Sequence, residues 1–254
     1  MTFAECLEAV EKAAEALSIV APDVTSGKGK AFEAWAMLAI ARHLSDMGAT
    51  IAAVGCDDQP VTTFVVRGGP GHMPAASDDP ATAPSHIVVE RTEIGPQGQE
   101  VQIRSEIHLS LRHRSDSGAT HELDLSVLPG RDAFACRWRG GGAFVGGVLV
   151  AVELKAYDGR ESLNLMFARA LLGTMLDLQP WRVIHDVELH MSGNYSRMLV
   201  PLSRPATMYL VTTTSLYDNS RRLLRRHDGV GIERVLPKTG AHRLEPIARE
   251  IFYL

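Results

Sequence analysis

A glutamate and a lysine separated by one residue stand at the end of an apolar run. Residues 148–152 are Val-Leu-Val-Ala-Val, and Glu153, Leu154 and Lys155 follow directly. Such a run predicts a buried central strand. Side chains two apart on a strand point to the same face, about 6–7 Å apart. The Glu153 carboxylate and the Lys155 ammonium are therefore expected side by side where the strand meets solvent.

A second acidic pair lies upstream, on a strand predicted over 120–128. Glu122 and Asp124 are two residues apart and so share one face of that strand. A carboxylate on one strand beside Glu-x-Lys on another can hold Mg²⁺ and a water molecule next to a phosphodiester. This pattern predicts phosphodiester hydrolysis, with Asp124 as the expected metal ligand and Glu122 as its alternative. A solvated strand face would show the same alternation.

Hydrophobic periodicity predicts the elements that must position these residues. Predicted helices cover 2–20, 28–47, 161–178, 217–227 and 243–253; predicted strands cover 61–67, 87–91, 101–112, 120–128, 147–156, 182–190 and 208–213; a glycine-rich connection covers 129–147. The alternating segments around the turn at 115–118 predict a hairpin. In its first strand, Leu109 and Leu111 are expected on one face. His108 is expected on the other face, across the hairpin from Asp124.

In this order of elements, the motif resembles that of the PD-(D/E)XK nuclease superfamily, which has the restriction-endonuclease-like fold. The resemblance covers about residues 28–190 and implies an αβββαβ core. Its helix, hairpin, third strand, second helix and last strand fall on 28–47, 101–128, 147–156, 161–178 and 182–190. The expected fold class is α/β, a central mixed sheet flanked by helices, with helical additions at the N- and C-termini.

A single domain is expected over residues 1–254, a length that can bury a substantial core. It would comprise an N-terminal helix in 1–27 and a nuclease-like core in 28–190, with an insertion at about 50–100. Residues 191–254 would form a C-terminal extension.

The superfamily motif falls on particular residues. The acid of its second strand falls on Asp124, its (D/E)-x-K on Glu153 and Lys155, and the acid often found on its first helix on Glu33. Leu123 stands where many members have a proline before the aspartate, a position that varies in the family.

The resemblance implies a Mg²⁺-dependent endonuclease in which Mn²⁺ can substitute. Asp124, Glu153 and the Leu154 carbonyl would hold the ion, while Lys155 would orient the attacking water and stabilise the developing charge. Glu33 would help to bind a second ion or position Lys155. The implied substrate is double-stranded DNA, commonly cut by a homodimer, and restriction or phage defence is the implied context.

Six arginines are candidates for contacts with a phosphate backbone. They are Arg221, Arg222, Arg225 and Arg226 on the predicted helix 217–227, and Arg160 and Arg169 near the helix that follows the motif. A solvated helix face and surface ion pairs are the alternative interpretations.

Composition narrows the other possibilities. The net charge of −4 argues against nucleic-acid binding through overall charge, but not through a local basic stripe. Three isolated cysteines, Cys6, Cys56 and Cys136, indicate neither a disulfide framework nor a zinc finger and fit a reducing cytoplasm. No signal peptide or membrane span is expected. Lys30 is followed by Ala31 rather than Ser or Thr, which argues against a P-loop.

Two alternatives stay open beside a DNA endonuclease. One is an RNA or single-strand nuclease of the same fold. The other is a non-catalytic nucleic-acid-binding or scaffold module, in which the acids form a surface network. The presence of all three core motif residues favours catalysis, and binding of Mg²⁺ or Mn²⁺ would separate the two classes.

Overall fold

The computed structural model of the protein describes residues 1–25, 27–157, 162–179 and 205–254. Its helices are α1 (Phe3–Ala16), α2 (Gly27–Asp46), α3 (Gly130–Trp138), α4 (Leu165–Leu178), α5 (Asp218–Arg226) and α6 (Glu245–Phe252), with a 3₁₀ helix at Ala241–Leu244. Its strands are β1 (Pro22–Asp23), β2 (Thr50–Val54), β3 (Phe64–Val65), β4 (His86–Ile94), β5 (Glu100–Arg114), β6 (Thr120–Pro129), β7 (Val150–Lys155), β8 (Thr207–Thr212) and β9 (Gly229–Ile232).

Seven of the described strands form one mixed sheet, in the spatial order β2-β4-β5-β6-β7-β8-β9. Neighbours from β2 to β7 are antiparallel, whereas β8 is parallel to both β7 and β9. A parallel pair needs a long crossover, and α4 lies in the connection from β7 to β8. Strands β1 and β3 form a separate two-residue parallel pair. The expected mixed sheet flanked by helices is confirmed.

The helices cover both faces of the sheet. On one face, α1, α2 and α6 enclose an apolar cluster in which Phe32 and Ile247 are buried together with Val152 of β7. On the other face, α3, α4 and α5 enclose a second cluster that contains Met175 and Leu224. Cover on both faces explains why β7 is a nearly continuous apolar run rather than an alternating one.

Helix α2 lies between the sheet and the helices α1 and α6. Every residue from 31 to 41 is buried, and Glu33 is the only charged residue among them. Five alanines in this stretch leave room for neighbouring elements on all sides of the helix. A buried carboxylate requires a partner, so the groups that face Glu33 are part of any account of function.

Strand β5 has a local irregularity at Ser110, whose φ of 49° lies in the left-handed region. Leu109 and its partner Leu125 on β6 belong to the cluster beneath α2, whereas Leu111 and its partner Leu123 belong to the opposite cluster. The face to which alternate residues point therefore reverses at Ser110. For this reason, the expectation that Leu109 and Leu111 share one face is wrong.

Most of the predicted elements occur, with ends shifted by a few residues. The predicted strand 61–67 is reduced to Phe64–Val65, and the predicted strand 182–190 lies outside the described residues. The sequence analysis does not predict β2 or β9. Both β2 and β4 come from the expected insertion at about 50–100, and both belong to the main sheet.

The glycine-rich connection expected over 129–147 contains a helix that the sequence does not predict, α3. Only Gly130, Ala133 and Arg137 of this helix are buried. A helix with so few apolar inward positions shows no hydrophobic stripe in its sequence. Its largest buried side chain belongs to Arg137, and a charged residue is not expected to be buried from the sequence.

Candidate active site

Asp124, Glu153 and Lys155 converge where β6 and β7 separate. The Lys155 ammonium nitrogen donates to Asp124 Oδ2 at 3.0 Å and lies 2.6 Å from Glu153 Oε1. The exposed fractions of the side chains are 12% for Asp124 and 22% for each of the other two. The structure thus brings together the three residues of the motif in a place that is largely desolvated yet open to solvent.

The backbone of β6 and β7 explains this convergence. Their antiparallel ladder ends at the pair Leu125 and Val152, so the strands part just before Asp124 and Glu153. Beyond the ladder, the Leu154 N–H donates to Asp124 Oδ2 at 2.8 Å. The aspartate side chain therefore occupies the gap and is held in it by a buried hydrogen bond.

The Leu154 carbonyl borders the same gap. The neighbouring Lys155 carbonyl accepts from the Thr213 N–H at 3.2 Å, on the β8 side of the strand. Because successive carbonyls of a strand point to opposite edges, the Leu154 carbonyl points toward β6 and Asp124. Two carboxylates and one backbone carbonyl thus border one opening.

Glu33 reaches this region from α2. Its Oε2 atom accepts from Ser110 Oγ at 3.1 Å and from Lys30 Nζ at 2.8 Å. Lys30 also contacts the Ser110 hydroxyl and lies 3.9 Å from Glu122 Oε1. Glu33 is therefore hydrogen-bonded to Lys30 and Ser110, so the geometry gives no support to the expected role of positioning Lys155.

Several carboxylates lie close together in the site and shift the pKa values of one another. Burial, reinforced by the charge of Asp124, raises the pKa of Glu33 to about 7 despite its hydrogen bonds. Burial and then Asp124 also raise the pKa of Glu153, against the attraction of Lys155. For Lys155, burial works to lower the pKa, but the charges of Glu153 and Asp124 outweigh it and raise the pKa. Lys155 is therefore protonated at neutral pH.

The fully charged site has a formal charge of −2. Its acids are Glu33, Glu122, Asp124 and Glu153, four carboxylates that face the two ammonium groups of Lys30 and Lys155. One divalent cation would neutralise this excess and relieve the cost of the desolvated acids. Asp124, Glu153 and the Leu154 carbonyl offer oxygen atoms alone, the donor type that Mg²⁺ and Mn²⁺ prefer. The residues present fit a hard divalent cation.

The arginines expected to bind phosphate divide into two groups. Arg221 is held by Glu233 at 2.9 Å and Asp218 at 2.5 Å, so its charge is already compensated. Of the other arginines expected to bind phosphate, Arg222, Arg225 and Arg226 on α5 and Arg169 on α4 are exposed. Arg160 lies outside the described residues.

His108 is not where the sequence analysis places it. The β5–β6 register puts it opposite Ser126, and its ring contacts Glu106. By the same register Ser110 is the residue opposite Asp124, since the pairs on either side are Leu109 with Leu125 and Leu111 with Leu123. The expected position of His108 across from Asp124 is therefore wrong.

His86 on β4 joins Glu106 and His108 on β5 in a buried cluster that the sequence analysis does not recognise. The two Nε2 atoms lie 3.2 Å and 3.0 Å from Glu106 Oε2, and the rings stack with centroids 4.6 Å apart. The ligand atoms lie within 4.8 Å of one another, a spacing at which they can hold a metal ion. Arg137 of α3, however, donates to both oxygens of Glu106, at 2.5 Å and 2.8 Å.

Arg137 balances the charge of this cluster without a metal ion. Its fully buried guanidinium also donates to Asp58 at 3.0 Å. Burial would raise the pKa of Glu106, but the bonds from Arg137 outweigh it and hold that pKa well below its usual range. Burial lowers the pKa of His86 and of His108, so both rings are neutral at pH 7. We interpret the cluster as an ion network that fastens α3 to the sheet.

Compared with protein-family models, curated proteins and solved structures, the chain matches none of them. No helix among the described residues is both long and apolar enough to cross a membrane. Any statement of function therefore rests on the site itself and on the resemblance of its motif.

Proposed function

We propose that the protein is a metal-dependent endonuclease that hydrolyses phosphodiester bonds of DNA. The observation that carries this proposal is the convergence of Asp124, Glu153 and Lys155 at the opening between β6 and β7. There the carboxylates of Asp124 and Glu153 and the Leu154 carbonyl lie beside the protonated Lys155, which compensates only one of the two negative charges. Such a set suits a reaction in which negative charge develops on a phosphate.

The order of the elements supports the same proposal. Helix α2, strands β5, β6 and β7, helix α4 and strand β8 occur in this order along the chain, with β2, β3 and β4 between α2 and β5 and with α3 between β6 and β7. The three strands form an antiparallel meander, and β8 returns parallel to β7. This is the order implied by the resemblance to the PD-(D/E)XK nucleases, with β8 in the place that the sequence analysis gives to 182–190.

In the proposed reaction Asp124, Glu153 and the Leu154 carbonyl would hold Mg²⁺, whose chemistry when bound would be to polarise the phosphate and lower the pKa of a water molecule. Lys155 would orient the water and offset the charge that develops on the phosphate oxygens. The Leu154 N–H fixes the orientation of the Asp124 carboxylate throughout.

Double-stranded DNA as substrate, a homodimer as the active form and a role in restriction or antiviral defence stay predictions based on the resemblance. An RNA or single-strand nuclease would use the same site. The test is to incubate the protein with supercoiled plasmid, linear duplex, single-stranded DNA and RNA, in Mg²⁺, Mn²⁺ or EDTA. Cleavage of duplex DNA that requires the divalent cation is the expected result.

The decisive variants are Asp124→Asn and Glu153→Gln. Each keeps the shape of the side chain and removes one charged metal ligand, so we expect cleavage to fall at least about 100-fold. Asp132→Asn, an exposed acid on α3, is the matched control and should cleave like wild type. Full activity in either folded site variant, or cleavage that survives EDTA, would refute the proposed function.

A further inference from the structure

Lys30 places a second ammonium group within the acidic site. Its Nζ atom lies 2.8 Å from Glu33 Oε2 and 3.9 Å from Glu122 Oε1, and it contacts the Ser110 hydroxyl. The side chain is only 16% exposed. Lys30 belongs to α2, whose following residues are buried without interruption from 31 to 41. The ammonium is thus held by a rigid part of the protein and not by a surface loop.

The two lysines divide the acidic site into two halves. Lys155 faces Asp124 and Glu153 at the opening between the strands. Lys30 faces Glu33 and Glu122 on the side of α2. The first half also has the Leu154 carbonyl and meets the needs of a divalent cation. The second half has the two carboxylates that could bind another cation, but a covalently attached positive charge already stands between them.

Ser110 secures this second half. Its left-handed backbone departs from the regular strand, and its hydroxyl donates to Glu33 while contacting Lys30. A left-handed conformation is unfavourable for a residue other than glycine, so the surrounding contacts must hold Ser110 in it. The arrangement fixes Lys30 and Glu33 relative to the sheet before any ion binds.

We propose that the site binds one divalent cation, between Asp124 and Glu153, and that Lys30 takes the place that a second cation would occupy beside Glu33 and Glu122. Phosphodiesterases of the two-metal type hold their ions about 3.5–4 Å apart between shared carboxylates. Here the lysine supplies the second positive charge. Lys30 is thus a positioning residue that sets the number of metal ions. This inference rests on the proposed function for the identity of the first ion.

The test counts metal ions in the wild type and in a Lys30→Met variant. Methionine keeps most of the stem and removes the charge, which leaves Glu33 and Glu122 uncompensated. Titration with Mn²⁺, followed by the paramagnetic signal of the free ion, should give one ion per wild-type chain and two per variant chain. The Hill coefficient for activation by Mn²⁺ should rise from about 1 toward 2. Lys30→Arg should restore one ion, and Lys12→Met, a change at a 71%-exposed lysine of α1, should not alter the count.

The outcomes separate this inference from the proposed function. Two ions per wild-type chain, or one ion in a folded Lys30→Met variant, would overturn the inference while cleavage could still stand. One ion in wild type and two in the variant, without any cleavage of nucleic acid, would uphold the inference and refute the nuclease. No ion in the wild type would refute both. If Lys30→Met does not fold, Lys30→Gln removes the same charge with a polar side chain and takes its place in the count.

Discussion

At the scale of single residues, Lys155 differs from an ordinary surface lysine in its surroundings. It is held between Asp124 and Glu153, and their charges raise its pKa above the usual value. A group fixed in this way is protonated before substrate arrives and needs no reorganisation when charge develops. Its contribution should therefore appear in the transition state more than in binding.

Replacing Lys155 with Met tests this role. The stem keeps its packing and loses its charge, so we expect kcat to fall about 100-fold or more with little change in KM. Mn²⁺ should bind at least as tightly, because Asp124 and Glu153 lose a competing cation. Single-turnover cleavage and direct metal titration measure the two effects. If turnover survives and only DNA affinity falls, Lys155 is a phosphate contact and not a catalytic group.

His113 gives a prediction for the dependence of stability on pH. Burial, helped by His108, His121 and Arg67, lowers the pKa of His113 to about 3. Neither ring nitrogen has a hydrogen-bond partner among the described residues, and the ring meets Phe144 edge-on. In the unfolded chain the His113 ring takes up a proton near pH 6.5, whereas in the folded chain the ring stays neutral at that pH. Stability should therefore fall as the pH drops below 6.5, by about 1.4 kcal/mol per pH unit for this group.

The His113→Phe variant removes the titratable imidazole and keeps an aromatic ring beside Phe144. We expect the free energy of unfolding, measured by urea at pH 6.5, 6.0, 5.5 and 5.0, to fall less steeply in the variant. A packing cost of the larger ring would lower the free energy of unfolding by the same amount at every pH. It would therefore not change the slope of that free energy against pH. His242→Gln, at an exposed histidine, should keep the wild-type slope. An unchanged slope in His113→Phe would mean that the folded protein protonates His113 readily.

The sequence reveals residues whose chemistry follows from local spacing. Glu153 and Lys155 share a face because they are two apart on a strand, and this pattern needs no tertiary information. Lys30 could not be found in this way, because its partner Ser110 is 80 residues away and faces it through a left-handed backbone. The partnership of Glu106 with Arg137 was hidden for a similar reason, since it joins β5 to a helix without an apolar stripe.

At the scale of elements, the opening between β6 and β7 was not predictable from alternation. Both segments are predicted as strands. They pair from Leu125 to Val127 on β6 and from Val150 to Val152 on β7. Beyond the pair Leu125 and Val152, the Asp124 side chain accepts from the Leu154 N–H. Alternation predicts which residues share a face but not where a ladder ends. β9 was missed because glycines occupy two of its four positions, and glycine is depleted in strands.

Helix α5 is the element on which a contact with DNA can be tested. Arg222 and Arg225 are exposed, whereas Arg221 is tied to Glu233 and Asp218. If α5 contacts phosphates, Arg222→Gln with Arg225→Gln should weaken binding to all duplexes alike. The slope of log K against log salt concentration should become shallower by up to about 0.9 for each lost contact. Cut sites should not move, because phosphate contacts do not read sequence.

The control for α5 removes two exposed charges elsewhere. Arg42 and Arg249 lie on α2 and α6 and pair with acids one helical turn away. Their double replacement by Gln changes the net charge by the same amount and should leave the salt slope unchanged. An unaltered slope in the α5 variant would place the binding surface on another element, such as α4 with the exposed Arg169.

At the scale of the whole molecule, the site lies at the junction of the two halves of the sheet. The antiparallel strands from β2 to β7 and the parallel pair of β7 and β8 meet at β7. Helix α2 is packed between this sheet and two other helices, and it carries both Lys30 and Glu33. An ion bound here would therefore connect groups from β6, β7 and, through charge, α2. Metal binding should affect the stability of the entire domain.

This coupling predicts that Mg²⁺ raises the melting temperature. An ion that binds the folded chain alone stabilises it by RT ln(1 + [L]/Kd), about 2.7 kcal/mol at a concentration 100 times Kd. Relief of the excess charge among the acids adds no separate term, because it is the source of that affinity. Thermal unfolding should shift upward with the logarithm of Mg²⁺ concentration in wild type, and Asp124→Asn and Glu153→Gln should lose the shift. A parallel titration with NaCl at the same ionic strength controls for the effect of salt. The Asp132→Asn variant should show the same shift with Mg²⁺ as wild type. A melting temperature that Mg²⁺ leaves unchanged up to about 10 mM would mean that Kd lies in the millimolar range or above, too weak for the cation site that the proposed function requires.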